Sequence, residues 1–169
     1  CNEKATLPAF QQCITALLAE HAKNKPNALA VASSSRNLSY QQLHHVSNQL
    51  AQRLASGGVT AGDRVAVLMN RSPDLVATLL GILKLGAIYV PINPNFNAQQ
   101  VNFVISDSGA KLVVLDRFNT LNQLIDKTHQ ALAITFAECL TFPHQTPLSS
   151  VQLTDTAYIM YALSSNGLL

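Results

Sequence analysis

Continuous apolar runs that alternate with amphipathic stretches, separated by glycine and proline, constrain this chain more than any other feature. Arg64 to Met69 and Lys111 to Leu115 are short unbroken apolar segments, the pattern of strands buried on both faces of a parallel sheet. Between them, Ser72 is placed to cap a helix, Pro73 sits where a missing N–H costs nothing, and Asp74 meets the positive end of the helix dipole. That helix is expected to run to about Leu85 and stop at Gly86. Ala87 to Ile92 reads as the next strand, halted by Pro91 and Pro94, and Ala98 to Asp107 as the next helix, closed by Ser108-Gly109.

The alternation extends in both directions. Ala28 to Ala32 and Leu38 to Tyr40 read as short extended pieces joined by a turn. Ser39 with Gln42 three residues on forms a capping box for a helix carried by Leu43, Val46, Leu50 and Leu54 as far as Gly57. Downstream, Leu121, Leu124 and Ile125 mark a short helix, Ala131 to Phe136 a strand, and Thr156 to Tyr161 a last strand after a proline-containing loop. The expected architecture is α/β: a doubly wound, mostly parallel sheet with flanking helices. Residues 1–27 read as a helical lead-in and 28–169 as the sheet-forming unit.

Composition narrows the partners. The 169 residues carry 12% charged side chains, 48% apolar ones and a net charge of +2, with 11 Lys plus Arg set against 9 Asp plus Glu. No basic excess is available to hold a nucleic acid, and disorder driven by net charge is excluded. Surface polarity falls instead to 13 Asn and 12 Gln. The most apolar stretch, Leu79 to Ile92, is 14 residues long and contains Lys84, short of the ~20 needed to span a bilayer, so no membrane partner is expected. Cys1, Cys13 and Cys139 form no CxxC pair, which points away from zinc or a disulfide framework and toward a reducing, cytoplasmic setting. With no initiator Met and no signal-like start, the chain reads as a piece of a longer one.

General catalytic motifs are absent: no GxGxxG, no GxxxxGK[ST], no GxSxG and no HExxH. His44 and His45 are adjacent on a helix, about 100° apart, and read as solvated; His21, His129 and His144 lack a diagnostic neighbour. Asp63, Asp74 and Asp107 each have a turn or helix-end role. Open α/β sheets bind ligands beyond the carboxyl ends of their strands, which singles out the loops Asn70-Arg71-Ser72, Asn93-Pro94-Asn95 and Ser164-Ser165-Asn166-Gly167. The last can wrap backbone N–H groups around a phosphate, although its composition also fits an ordinary surface turn.

LSYQQL from Leu38, GDRVAVLMNRSPDLVATLLGILKLGAIYVPINP from Gly62, DSGAKLVV from Asp107 and TAYIMY from Thr156 together resemble the N-terminal part of an amino-acid adenylation domain. Such domains belong to nonribosomal peptide synthetases, within the adenylate-forming superfamily. The resemblance covers nearly the whole chain, and LKLGAIYVPINP is its most specific element, with Asn93 where an acidic residue is usual. It implies ATP-dependent activation of an amino acid as its aminoacyl adenylate, with Mg, followed by transfer to a carrier-protein thiol. It also implies that Ser164, Ser165, Asn166 and Gly167 are a remnant of the family's phosphate-binding loop. Ser165 and Gly167 match that loop, Ser164 replaces a glycine, Asn166 replaces a threonine, and no Lys follows.

The implied partners are the remaining adenylation-domain segments, adjacent synthetase domains and the carrier protein. An MbtH-like accessory protein is a further implied partner, at the surface matched by Ser72 to Tyr89. The amino-acid pocket and the family's catalytic groups have no counterpart here, so the isolated chain is expected to hold no cofactor and to lack adenylation activity. Three readings therefore stand: a segment of an active synthetase, a non-catalytic structural or docking subdomain, and an independent nucleotide-binding module.

Overall fold

A computed structural model describes residues 14–118, 120–145 and 158–162. Its elements in chain order are α1 (Ile14–Asn24), β1 (Leu29–Val31), β2 (Leu38–Ser39), α2 (Tyr40–Ser56), β3 (Arg64–Leu68), α3 (Pro73–Lys84), β4 (Ile88–Pro91), α4 (Ala98–Ser108), β5 (Leu112–Leu115), β6 (Ala133–Thr135) and α5 (Phe136–Cys139). Two 3-10 turns, Asn122–Leu124 and Gln130–Leu132, precede β6. The four later strands form a parallel sheet in the order β4-β3-β5-β6.

Period-two alternation sorts the sheet's side chains into two cores. Val65, Val67, Met69, Leu112 and Val114 face α2 and α3, whereas Ala66, Leu68, Val90, Val113 and Leu115 face α4. Both faces are therefore covered, as the unbroken apolar runs require. The crossover through α3 lies on one face and the crossover through α4 on the other, which carries the chain from β4 back past β3 to β5.

Local chemistry accounts for the helix ends. Ser39 and Gln42 form the expected capping box on α2, and Asn97 with Gln100 builds a second on α4. Gly109 ends α4 at φ 62, a left-handed conformation that favours glycine. Helices α2 and α3 approach closely at Gly81, where an added Cβ would lie 2.6 Å from Leu50 Cβ and 2.9 Å from the Ser47 carbonyl oxygen.

A polar cluster sits in that same interface. Lys84, 6% exposed, places Nζ 2.6 Å from Asn48 Oδ1, 2.7 Å from Ser47 Oγ and 3.2 Å from His44 Nδ1. Burial pulls the Lys84 pKa from 10.5 down to about 7. From α2, the side-chain amides of Asn48, Gln49 and Gln52 donate to backbone carbonyls of Leu140, Phe142, His144 and Gln145, holding that segment across the helix.

β1 and β2, the two extended pieces joined by a turn, pair antiparallel, apart from the parallel sheet. Two expectations are corrected. The strand expected over Ala131–Phe136 shortens to Ala133–Thr135, because Thr135 and Glu138 form a capping box that turns Phe136 into the start of α5. His44 and His45 are not simply solvated: His44 is half-buried against Lys84, and burial, Lys84 and His45 lower its pKa to about 4. The His45 ring stacks on His144 at 4.4 Å.

The expected strand Thr156–Tyr161 falls partly outside the described residues. Its described part makes a parallel bridge between Tyr158 and Tyr89, and the Ile159 N–H donates to the Tyr89 carbonyl at 2.9 Å. Among the described residues, no helix is long and apolar enough to cross a membrane.

Candidate functional site

Because the four strands are parallel, the loops that follow β3, β4 and β5 meet at one end of the sheet. β4 and β5 flank β3 on opposite sides, so the strand order reverses beside β3, and the crevice between β3 and β5 is the position at which such sheets bind ligands. A cleft of about 240 Å³ lies there, lined by Met69, Asn70, Ser72 and Asp74 after β3 and by Asp116, Arg117, Phe118 and Thr120 after β5. An adjoining cleft of about 300 Å³ shares Ser72, Asp74, Arg117 and Phe118 and adds Ser35 and Arg36 from the β1–β2 turn.

Asp74 is the hub of both clefts. Arg117 grips its carboxylate with both Nε, 2.9 Å from Oδ2, and Nη2, 3.1 Å from Oδ1, while Arg36 donates to the same Oδ1 from the other side. Two guanidinium groups against one carboxylate leave the adjoining cleft net positive at the amino end of α3, whose dipole adds to it, whereas Asp116 offsets that charge in the cleft between β3 and β5. The Arg117 guanidinium also lies 5.4 Å from the centre of the Phe136 ring. Phe118, 80% exposed, stands at the mouth. The arrangement suits an anionic group lying against an aromatic face.

The loops singled out in the sequence are placed unevenly. Ser72 caps α3 by accepting from the Leu75 N–H at 3.2 Å, and Asn70 and Arg71 are exposed beside the cleft. Asn93 closes its own turn by accepting from the Asn95 N–H, away from the clefts. Ser164, Ser165, Asn166 and Gly167 lie outside the described residues. Asp63 binds Thr60 and Lys111 at the opposite end of the sheet, where the Thr60 N–H holds its pKa down. Asp107 accepts from the Tyr161 hydroxyl at 2.7 Å; burial and this carboxylate push the Tyr161 pKa up to about 12.

Sequence reasoning missed Arg36, Arg117 and Phe118. A basic-aromatic pair directly after a buried strand was the available signal, but Asp74 lies 43 residues from Arg117 and only the fold joins them. Among the described residues, no group of three or more His, Cys, Asp or Glu side chains is disposed to hold a metal ion.

Residues 18–167 match the family described as AMP-binding enzyme. The chain belongs to this family. As an AMP-binding enzyme segment it is 34% identical over 166 residues to bacitracin synthase 3 of Bacillus licheniformis, which covers 98% of this chain and 2% of that protein. It is 36% identical over 155 residues to syringomycin synthase SyrB1 of Pseudomonas syringae pv. syringae, 89% of this chain and 24% of the relative.

Solved structures of similar fold include the N-terminal domain of FACL13 from Mycobacterium tuberculosis. It has a TM-score of 0.80 and 29% identity, and the match covers 91% of this chain and 42% of that one. The nonribosomal peptide synthetase FmoA3 aligns with a TM-score of 0.83 over 92% of this chain and 17% of its own; at 24% identity that match speaks for fold alone. This chain is thus a partial segment of a nonribosomal peptide synthetase adenylation domain, spanning a quarter or less of these synthases.

Proposed function

We propose that this chain is the N-terminal part of a catalytic unit that activates an amino acid with ATP and passes the aminoacyl group to a carrier-protein thiol. The observation that carries the reading is the family match over residues 18–167, which covers every described strand and helix from Leu18 onward. The parallel bridge at Tyr158 supports it, because a strand added parallel to β4 points its carboxyl end toward the same end of the sheet as the clefts.

The described residues do not themselves fit Mg-ATP. Both carboxylate oxygens of Asp74 are engaged by guanidinium groups, and Asp116 is engaged by Thr120. Mg is usually held by one or two carboxylates together with waters and the nucleotide's phosphates, and Asp74 is committed to guanidinium groups, so ATP and Mg belong to the complete unit in this reading. The remaining adenylation-domain segments, adjacent synthetase domains and the carrier protein are its partners, in a cytoplasmic setting. An MbtH-like protein at the surface from Ser72 to Tyr89 is an additional proposed partner. It rests on the family resemblance, since Ala77, Leu80 and Ile82 of α3 are spent in the core.

A second reading, a non-catalytic subdomain, draws on Ser164, which stands where the family's loop has glycine and would resist a positive φ. Amino-acid-dependent ATP–pyrophosphate exchange separates the two. The 169-residue chain alone is expected to show none, and the chain joined to the remaining segments is expected to exchange. A joined unit that fails to exchange would favour the non-catalytic subdomain.

A further inference from the structure

On α4, Ser106 and Asn102 lie one turn apart and meet the segment that follows the first 3-10 turn. The Asn102 amide is oriented by its donors: Nδ2 reaches the carbonyl oxygens of Ala98 at 2.6 Å and Leu124 at 2.9 Å. Its Oδ1 is therefore the acceptor, taking the Asp126 N–H at 3.0 Å and His129 Nδ1 at 3.0 Å. Asp126 Oδ1 lies 3.1 Å from the same Nδ1. Both neighbours of Nδ1 accept, so this nitrogen carries the proton of the neutral ring and Nε2 presents a lone pair. Ser106 Oγ is 3.0 Å from Nε2, and its hydroxyl donates to it. Ser106 is exposed, whereas the His129 side chain is 15% exposed.

We propose that Ser106 is a nucleophilic hydroxyl, with His129 as its general base and Asn102 and Asp126 as positioning residues, and that it accepts acyl groups from activated donors. The arrangement meets the requirements for such a nucleophile: a base within hydrogen-bond reach and a third group that fixes the base's tautomer. The substrate class follows from what the site lacks. Backbone N–H groups beside Ser106 are committed to the α4 ladder, so no preorganised donors meet a developing oxyanion. Only acyl donors whose leaving group departs as a stable anion can then react, namely aryl esters and acyl phosphate anhydrides. In that step the Ser106 Oγ–carbonyl bond forms, the bond from the carbonyl carbon to the leaving oxygen breaks, and the leaving group departs with its electron pair. The hydroxyl proton moves to His129 Nε2.

The same hydrogen bonds tie the segment to α4, and a purely structural role would leave Ser106 no more reactive than any exposed serine. p-Nitrophenyl acetate distinguishes the two roles on the full chain. Release of p-nitrophenolate is followed by absorbance, and the acetyl group is located by peptide mass spectrometry in the wild type, Ser106→Ala and His129→Gln. Glutamine at 129 keeps a hydrogen-bonding side chain but removes the base, and circular dichroism verifies that each variant folds. General-base assistance without oxyanion stabilisation predicts acetylation at Ser106 about 100-fold faster than in H129Q. S106A should lose both the acetyl and the fast release. Acetyl found only on lysines such as Lys127, or an unchanged rate at Ser106 in H129Q, would overturn the proposal.

Discussion

Lys84 is a cation in a chain that carries few, yet it lies between two helices. Burial depresses its pKa to about 7, and His44 beside it is depressed to about 4. Both are bases whose folded pKa falls below the unfolded value, so the unfolded chain binds more protons in the intervening ranges and stability rises with pH there. For Lys84 the range is about pH 7 to 10.5, and for His44 about pH 4 to 6.5. Denaturant midpoints measured across these ranges should climb with pH. Lys84→Met should abolish the upper slope. At neutral pH its net effect should stay small, because relief of desolvation is offset by about 1–3 kcal/mol for the acceptors left behind on Asn48 and Ser47. A K84M slope equal to wild type would show that Lys84 is not the titrating group. None of this was visible in the sequence, where Lys84 was only one interruption in an apolar run and His44-His45 a pair on a helix surface.

At the level of elements, Gly81 sets the distance between α2 and α3. Ala at that position gains about 1 kcal/mol in helix propensity, but the new methyl would meet Leu50 Cβ and the Ser47 carbonyl within 3 Å, and these atoms belong to a packed helix. Overpacking costs of about 1–3 kcal/mol should prevail. The thermal midpoint should therefore fall by about 2–4 °C for each kcal/mol lost, as calorimetry of Gly81→Ala would show. Element boundaries were legible where side chain and backbone chemistry agree: Ser39 with Gln42 and Ser72 with Pro73 open helices where the sequence places them. They were illegible where two local signals compete. Ala131–Phe136 has the composition of a strand, yet Thr135 and Glu138 also spell a capping box, and the box ends the strand one residue before Phe136.

For the whole molecule, the doubly wound sheet was legible because burial on both faces leaves unbroken apolar runs, and β3 and β5 have them. The clefts were not, since Arg36 from the β1–β2 turn, Asp74 from the first turn of α3 and Arg117 from the loop after β5 are brought together only by the strand order. That order also ranks local stability: among the described residues β3 has partners on both sides, whereas β6 has one. Hydrogen exchange should be slowest at Val65 to Val67 and faster at Ala133 to Thr135; the reverse order would contradict the topology. The bridge between Tyr89 and Tyr158 carries a further consequence. These residues are 69 positions apart, so a ribosome adding about 5–20 residues per second delivers the second roughly 3–14 s after the first. During synthesis β4 is for that interval a newly made border with unmet hydrogen bonds, open to whatever strand reaches it first.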